Sequence, residues 1–479
     1  MRLPLALDRR SRTPLHRQVY EELRRGILAG RLAAGDRLPS TRELALGLRV
    51  ARTTVSVAYD QLIAEGYLEA RRGAGTFVCR ELPDRPARAG TAAKSRPAIR
   101  LSSLAAALPP WPVRRPADPG VIDLSAPGAD PSLFPFAVWN RLVRRHLRRR
   151  STAGAPPSLA GDERLREAIA AYLGRSRAVQ CRADQVVVVN GSQQALDLCA
   201  RVLVDRGDHV AIEEPGYPEG RQLFAAAGAV VHSVPVDGDG LVAARIPASA
   251  RLAFVTPSHQ YPLGVSLSLA RRLELLAWAQ AAHGVILEDD YDSEFRYGGA
   301  PLPSLQGLAD AAPVVYVGTF STATFAGLRL GYLVLPLALV EPFVRAKRHA
   351  SGPTASLDQA VLADFIREGH LERHVRRMRR VLARRYFALA EALERHLGDR
   401  ASLTGDAAGL HAVVRIAGLD GAASGRRAGV AFETTRACYA AAAPDHEILV
   451  RFAGLSERTL REGVRRLALL ARARRPPSP

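Results

Sequence analysis

The stretch between about residues 80 and 120 constrains the fold of this chain more than any other feature. Eight of its residues are prolines, which lack a backbone donor and fix φ, so no long helix or sheet strand is expected to run through it. A length of 479 residues allows two or three domains. We therefore expect a small domain over 12–80, a linker over 81–120 and a large domain over 121–479.

The small domain has the pattern of three helices followed by a hairpin. Apolar residues at helical spacing over Leu15–Leu28 predict the first helix. Ser40, three residues before Glu43, predicts a capped start of the second helix. A third helix is expected from Thr53 to Ile63, and the glycine-containing segment from Gly66 to Val78 is typical of a β-hairpin.

The charge of the chain suggests a polyanionic partner. The formal net charge is +20, and it is nearly all arginine, since Lys94 and Lys347 are the only lysines. A summed positive potential attracts phosphate-bearing partners, of which nucleic acid is the leading candidate. An arginine-rich genome would produce the same composition without such a partner, so charge alone leaves both interpretations open.

The start of the third predicted helix carries short polar and cationic side chains, which suit contact with base edges and phosphates in the major groove. The run from Leu38 to Val78 resembles the winged helix-turn-helix of the GntR family of bacterial regulators, element by element. The resemblance implies a double-stranded DNA operator, bound as a homodimer. It places the DNA contacts at Arg42, Arg52, Thr53, Thr54, Ser56 and Gly75.

The large domain alternates short apolar runs with amphipathic helices, which predicts an α/β fold on a large, mostly parallel sheet. From about residue 341 onward, long helices, expected at Leu357–Gly369 and Val375–Leu397, precede a smaller α/β portion. We expect this part to form a C-terminal subdomain over 341–479. The expected strands are Val186–Val189, His209–Ile212, Ala229–Val234, Leu252–Thr256, Val285–Leu287, Val314–Val317 and Tyr332–Leu335.

Four segments of the large domain place polar residues at the ends of predicted strands. In the first, Gly191 and Ser192 open a helix whose free backbone amides can hold a phosphate. In another, Asp289 ends a buried strand, where a carboxylate can pair with a protonated pyridine nitrogen and make the ring an electron sink. With the segments at 215–218 and 318–332, they resemble the vitamin B6 site of fold-type I aminotransferases.

The whole sequence apart from the linker resembles the MocR/GabR group, in which a GntR-type regulator is fused to an aminotransferase-like domain that binds pyridoxal 5'-phosphate. Segments 256–264 and 288–297 are specific to that group. The resemblance implies a ligand-carboxylate site at Arg451, whose planar guanidinium is a bidentate donor. It also implies cofactor contacts from Ser192, Gln193, Tyr217, His259, Asp289, Tyr291, Ser321 and Arg329.

One position departs from that group. The residue after Ser321 is the Schiff-base lysine in the group, and here it is Thr322, whose hydroxyl cannot form a Schiff base. We expect Lys347 to face solvent, with a relocated nucleophile as the alternative. Efficient catalysis and covalent attachment of the cofactor are therefore not expected. The site is expected to bind pyridoxal phosphate non-covalently, its preformed amino-acid aldimine or a related anionic metabolite.

Three functions follow from these features. The first is a cytoplasmic transcriptional regulator whose aminotransferase-like domain senses a small molecule. The second is an active aminotransferase with an accessory DNA-binding domain, and the third gives the large domain only a role in dimerisation. No apolar run suits a signal peptide or a membrane span, and the four well-separated cysteines suggest neither a disulfide framework nor a metal site.

Overall fold

The chain divides into two compact units, Met1–Arg100 and Leu101–Pro479. The computed structural model describes residues 5–9, 11, 13–71, 73–83, 99–109, 118–126, 128, 130–149, 157–298, 303–309, 312–419 and 429–472. Much of the expected linker, including Lys94, lies outside these described residues. Among the described helices, none is long and apolar enough to cross a membrane.

The first unit is a three-helix domain with a small sheet, as the sequence predicts. Its elements are α1 (Leu15–Leu28), β1 (Arg37–Leu38), α2 (Thr41–Leu48), α3 (Arg52–Ala64), β2 (Leu68–Arg71) and β3 (Gly75–Val78). The sheet has the order β1-β3-β2 and is antiparallel, so β2 and β3 form the expected hairpin.

The α2 helix begins with the predicted capping box. The hydroxyl of Ser40 accepts a hydrogen bond from the backbone N–H of Glu43 at 3.2 Å, and the Glu43 carboxylate accepts one from the Ser40 N–H at 2.8 Å. Val55 and Leu62 on α3 are fully buried against Leu23 on α1. These contacts hold α3 with its first turn facing outward.

The second unit contains the remaining elements. Its helices are α4 (Ser103–Ala107), α5 (Phe136–Arg149), α6 (Glu163–Arg177), α7 (Ser192–Leu203), α8 (Pro218–Ala227), α9 (Leu269–Ala281), α10 (Leu305–Leu308), α11 (Leu337–Ala350), α12 (Ser356–Arg367), α13 (His370–Leu397) and α14 (Glu457–Arg472). Its strands are β4 (Ile122–Asp123), β5 (Val186–Val189), β6 (His209–Glu214), β7 (Val230–Asp237), β8 (Gly240–Leu241), β9 (Ala250–Val255), β10 (Val285–Asp290), β11 (Val314–Thr319), β12 (Gly331–Val334), β13 (Ala401–Leu403), β14 (Ala412–Ile416), β15 (Val430–Ala431), β16 (Glu433–Thr434) and β17 (Glu447–Val450).

The large sheet confirms the predicted α/β class. Its eight strands have the order β5-β12-β11-β10-β9-β6-β7-β8. The central pairings from β11 to β7 are parallel, whereas β12 and β8 run antiparallel to their neighbours. All residues of β5, β11 and β12 are buried, because helices cover both faces of the sheet. The carboxyl ends of β9, β10 and β11 therefore lie side by side at one edge, where their following residues can form a site.

A smaller subdomain follows the large sheet, as expected. It contains a four-stranded antiparallel sheet of order β13-β14-β17-β16, against which the long helices α13 and α14 pack. The sequence pattern predicts α13 from Val375, but the helix begins at His370. Only Glu368 and Gly369 lie between α12 and α13, and Gly369 adopts the left-handed conformation at φ 70°, which lets the chain turn from one helix into the next.

Candidate cofactor cleft and DNA-reading surface

A cavity of about 320 Å³ lies in the second unit, at the carboxyl ends of the central strands. It is bounded by residues that follow β9 and β10, by the end of β11, by the start of α7 and by the residue after β17. The described residues that line it are Gly128, Ser192, Tyr217, Glu219, Thr256, Tyr261, Asp289, Tyr291, Thr319, Ser321, Thr322, Ala326, Arg329, Leu410, His411 and Arg451. Most of the predicted cofactor residues thus meet in one place.

One end of the cavity has the donors that a phosphate needs. Gly191 precedes α7 with φ 83°, and the helix start has no capping side chain, so its first backbone amides are free to face an anion. A Cβ at Gly191 would lie 3.1 Å from Nη2 of Arg329, so only glycine lets this guanidinium approach the helix start closely. Ser192 lies in the same wall, and the buried Oγ of Ser321 has no hydrogen-bond partner in the part of the chain that the structure describes.

The deepest acid of the cavity suits a ring cation. Asp289 is 5% exposed, and its Oδ1 makes no hydrogen bond with any described residue. Burial, together with the nearby acids Asp290, Asp292 and Glu213, raises the pKa of its carboxyl to about 7. A protonated pyridine nitrogen would supply both the missing donor and the missing positive charge. The residues therefore fit the phosphate and the ring of pyridoxal phosphate.

The lysine position holds Thr322, and its side chain is already engaged. The Thr322 hydroxyl donates a hydrogen bond of 2.6 Å to the backbone carbonyl of Tyr291. No lysine is among the cavity-lining residues that the structure describes. The cavity thus combines an anion cradle and a ring-facing carboxylate with a neutral hydroxyl in place of the amine.

The expectation that Lys347 faces solvent is wrong. Lys347 is fully buried, and its Nζ donates a hydrogen bond of 2.8 Å to the backbone carbonyl of Leu159. It lies one helical turn after Phe343, on the side of α11 that packs on α7 and β5, whereas the neighbouring Arg345 and Arg348 are exposed. Burial lowers the pKa of its ammonium to about 8. It does not line the cavity, so the structure gives no support to the relocated nucleophile.

Two expected cofactor residues, Gln193 and His259, do not line the cavity. His259 is buried behind Tyr291, whose hydroxyl donates a hydrogen bond of 2.9 Å to the His259 carbonyl. Its Nδ1 is 3.0 Å from the Asp292 carboxylate. The prediction for His259 relied on the resemblance of segment 256–264 to the family. A segment does not show which of its side chains faces the cavity, and in the structure Tyr261 lines it.

Arg451 lies in a part of the cavity whose neighbouring side chains are acidic or phenolic. Its Nη2 is 3.3 Å from the hydroxyl of Tyr261 and 3.5 Å from the Glu433 carboxylate, and its buried Nε has no hydrogen-bond partner among the described residues. A bidentate acceptor such as a carboxylate would use this free donor. Glu219 and His411 also line the cavity and were missed, because neither stands in a segment that the sequence reasoning singled out.

The predicted DNA-contacting residues lie in the first unit, at the start of α2, along the first turns of α3 and in the hairpin. Arg42, Arg52 and Thr53 are exposed, and Thr54 and Ser56 are half-buried. The guanidinium of Arg52 donates a hydrogen bond of 3.3 Å to the hydroxyl of Thr41. Gly75 begins β3 at φ 114°, and the first turn of α3 carries no acidic residue. This surface is polar and cationic, as contact with a DNA backbone requires.

Two family models match the chain. The one described as bacterial regulatory proteins, gntR family, covers 15–78, and the one described as aminotransferase class I and II covers 128–467. Each model falls within one of the two compact units. The join between them is therefore the stretch in which the prolines gather.

Two relatives and one solved structure extend the match. The probable rhizopine catabolism regulatory protein MocR of Rhizobium meliloti is 40% identical over 97% of this chain and 95% of its own length. The HTH-type pyridoxine biosynthesis transcriptional regulator PdxR of Corynebacterium glutamicum is 33% identical over 86% of this chain and 85% of its own. The structure of LysN, an alpha-aminoadipate aminotransferase of Thermus thermophilus complexed with N-(5'-phosphopyridoxyl)-L-leucine, is 29% identical, with a TM-score of 0.67 over 74% of this chain and 93% of that one.

Proposed function

Given that the chain belongs to the MocR/GabR-type transcriptional regulators, we propose that its aminotransferase-like unit holds pyridoxal phosphate without a covalent bond and senses a small molecule there. Binding of that molecule changes how a homodimer engages its operator. The coupling requires the ligand to bind one arrangement of the dimer more tightly than another.

The observation that carries the proposal is the state of the lysine position. Thr322 lines the cavity with its hydroxyl committed to the Tyr291 carbonyl, while the donors and the acid that suit the cofactor remain in place. Loss of the amine removes both the covalent anchor and the group that moves protons, and general acid–base help alone is worth about 10²- to 10⁴-fold in rate. The cavity is therefore suited to binding and poorly suited to turnover.

The lining residues divide into three roles in this proposal. Ser192, Ser321 and Arg329, with the start of α7, hold the phosphate, and Asp289 holds the ring nitrogen in its protonated form. Arg451 orients the carboxylate of an amino-acid ligand. When bound, pyridoxal phosphate supplies an electron-withdrawing ring and an aldehyde that reacts reversibly with amines.

The DNA-binding part of the proposal concerns α3 and the hairpin. The start of α3, with Arg52, Thr53, Thr54 and Ser56, reads base edges in the major groove, and Arg42 contacts a base or a phosphate. The glycine at position 75 lets the hairpin approach the duplex closely. Two copies read the two halves of a palindrome.

Borohydride trapping tests the cofactor half of the proposal. The full chain is incubated with pyridoxal phosphate, reduced and analysed by intact-protein mass spectrometry, and non-covalent binding is measured by equilibrium dialysis. We expect binding of the cofactor with no trapped adduct, a trapped adduct in Thr322→Lys, and unchanged binding in Lys347→Met. An adduct on the unmodified chain that disappears in Lys347→Met would show a covalent anchor and contradict the proposal. Conversion of an amino acid to its keto acid would favour an aminotransferase, and no uptake of the cofactor would leave only a dimerisation role.

Footprinting on DNA near the protein's own gene tests the regulatory half. We expect a protected palindrome whose extent or affinity changes when pyridoxal phosphate and an amino acid are added together. Binding that depends on salt but shows no preference over random competitor DNA would contradict it.

A further inference from the structure

The charges that line the cavity are not all used by the proposed function. Among the described lining residues, the acids and guanidinium groups are Glu219, Asp289, Arg329 and Arg451. Asp289 suits the ring nitrogen, Arg329 the phosphate and Arg451 a carboxylate. Glu219 is the acid for which neither the cofactor nor a simple amino acid provides a partner.

The fold directs Glu219 to this wall. It is the second residue of α8, whose first position is Pro218, and the aromatic ring of Tyr217 precedes it at the cavity edge. Within the described ranges its carboxylate forms no ion pair, and the guanidinium of Arg451 lies 3.5 Å from the Glu433 carboxylate. The Glu219 side chain is half-buried.

The electrostatic surroundings leave Glu219 short of positive charge. Burial raises the pKa of its carboxyl, and the nearby Glu433 also raises it, although its own backbone N–H and Arg451 lower it in part. His411, which lines the same cavity, supplies no positive charge, because burial lowers the pKa of its imidazole well below the ordinary value. A cationic group brought by a ligand would offset this deficit and donate a charged hydrogen bond to the carboxylate.

We propose that Glu219 selects ligands with a second cationic group, so that the effector is a basic amino acid whose carboxylate binds Arg451 and whose distal amine or guanidinium binds Glu219. The inference rests on the proposed function, since it assigns the ligand class of the same cavity.

A structural role for Glu219 predicts something different. An acid in the first turn of a helix interacts favourably with the helix dipole, worth about 0.3–1 kcal/mol. Its loss would then change stability slightly and would affect all ligands alike. Ligand preference, measured on matched pairs, separates the two roles.

Calorimetric titration of the full chain, loaded with pyridoxal phosphate and freed of excess cofactor, provides the test. L-Lysine and L-norleucine are compared because they differ in the distal amine, and L-2-aminoadipate carries a distal carboxylate instead. We expect the unmodified chain to bind L-lysine about 10- to 100-fold more tightly than L-norleucine, as for a charged hydrogen bond in a partly buried site. L-2-Aminoadipate is expected to bind more weakly than either.

The variant Glu219→Gln keeps the shape of the side chain and removes the charge. We expect it to bind L-lysine and L-norleucine within about threefold of each other, with cofactor affinity unchanged. The control Glu394→Gln, at an exposed position of α13, should keep the full preference.

The possible failures can be told apart. If the chain takes up the cofactor and binds L-norleucine as tightly as L-lysine, the role of Glu219 is refuted while the proposed function stands. If Glu219→Gln weakens both amino acids by one factor, the residue acts through the helix and the inference also fails. If no cofactor is taken up, the proposed function and the inference fail together.

Discussion

Replacing Lys347 by methionine removes a buried positive charge, and the effect on stability should depend on pH. The folded state lowers the pKa of this ammonium from 10.5 to about 8, which corresponds to a cost of about 3 kcal/mol for keeping it charged below pH 8. Methionine removes that cost but leaves the carbonyl of the half-buried Leu159 without its donor, which costs about 1–3 kcal/mol. Near neutral pH we therefore expect Lys347→Met to be as stable as the unmodified chain or up to about 2 kcal/mol more stable.

The sign of the pH dependence follows from the lowered pKa. Between the two pKa values the unfolded chain binds a proton that the folded chain does not, so the stability of the unmodified chain rises with pH across this window. From about pH 7.5 to about pH 9.5 it should gain about 2 kcal/mol relative to Lys347→Met. Below about pH 7.5 the difference between the two proteins should be nearly constant.

Urea unfolding followed by tryptophan fluorescence measures the stability difference between the two proteins in the unit that contains Lys347, Leu101–Pro479. Trp111, Trp139 and Trp278 are the only tryptophans, and all three follow Leu101 in the sequence. Other groups that titrate in the window contribute equally to both proteins and cancel. Lys94→Met removes the other lysine and should track the unmodified chain at every pH. Parallel pH profiles for the unmodified chain and Lys347→Met would refute the reasoning, because they would mean that the ammonium titrates normally.

Three further substitutions test the two sites. Asp289→Asn should weaken binding of pyridoxal phosphate by about tenfold or more in equilibrium dialysis, since it removes the charged partner of the ring nitrogen, and it should leave cofactor-free DNA binding unchanged. Arg329→Ala should weaken binding of pyridoxal phosphate but not of pyridoxal, which lacks the phosphate. The control Arg251→Ala, at an exposed position, should alter the binding of neither compound. Equal losses for both compounds in Arg329→Ala would contradict its role in holding the phosphate. Arg52→Ala should cost about 1–3 kcal/mol of operator binding in gel-shift titrations, and Arg25→Ala on α1 should not, so a uniform loss in both variants would indicate only nonspecific charge.

The elements that sequence reasoning predicted well are those whose signals are local. The Ser40 and Glu43 capping box involves residues three apart, and both of its hydrogen bonds form as predicted. The apolar, β-branched run at Val186–Val189 becomes a strand with the same bounds. In such cases the residues that interact are close in the chain, so the pattern and the structure contain the same information.

The replacement of the Schiff-base lysine by Thr322 could also be recognised from the sequence alone. The motif around it identifies the place where a lysine is required, and the absence of an amine there follows from the residue type without any structure. The same holds for Asp289 at the end of a buried strand, because parallel strands bring their carboxyl ends to one edge of a sheet.

Only the tertiary structure decided which side chains are buried between elements that are distant in the chain. Lys347 stands between exposed arginines and has the local pattern of a surface residue, yet α11 turns it toward Leu159, which lies 188 positions away in the chain. Glu219 enters the cavity because α8 starts at its wall, and His259 stays behind Tyr291. The sequence thus determined which chemical groups the chain possesses and in which elements they stand. Which of them face the cavity, and which are sealed inside, depends on how those elements pack, since periodicity specifies the faces of a helix but not the neighbour that each face meets.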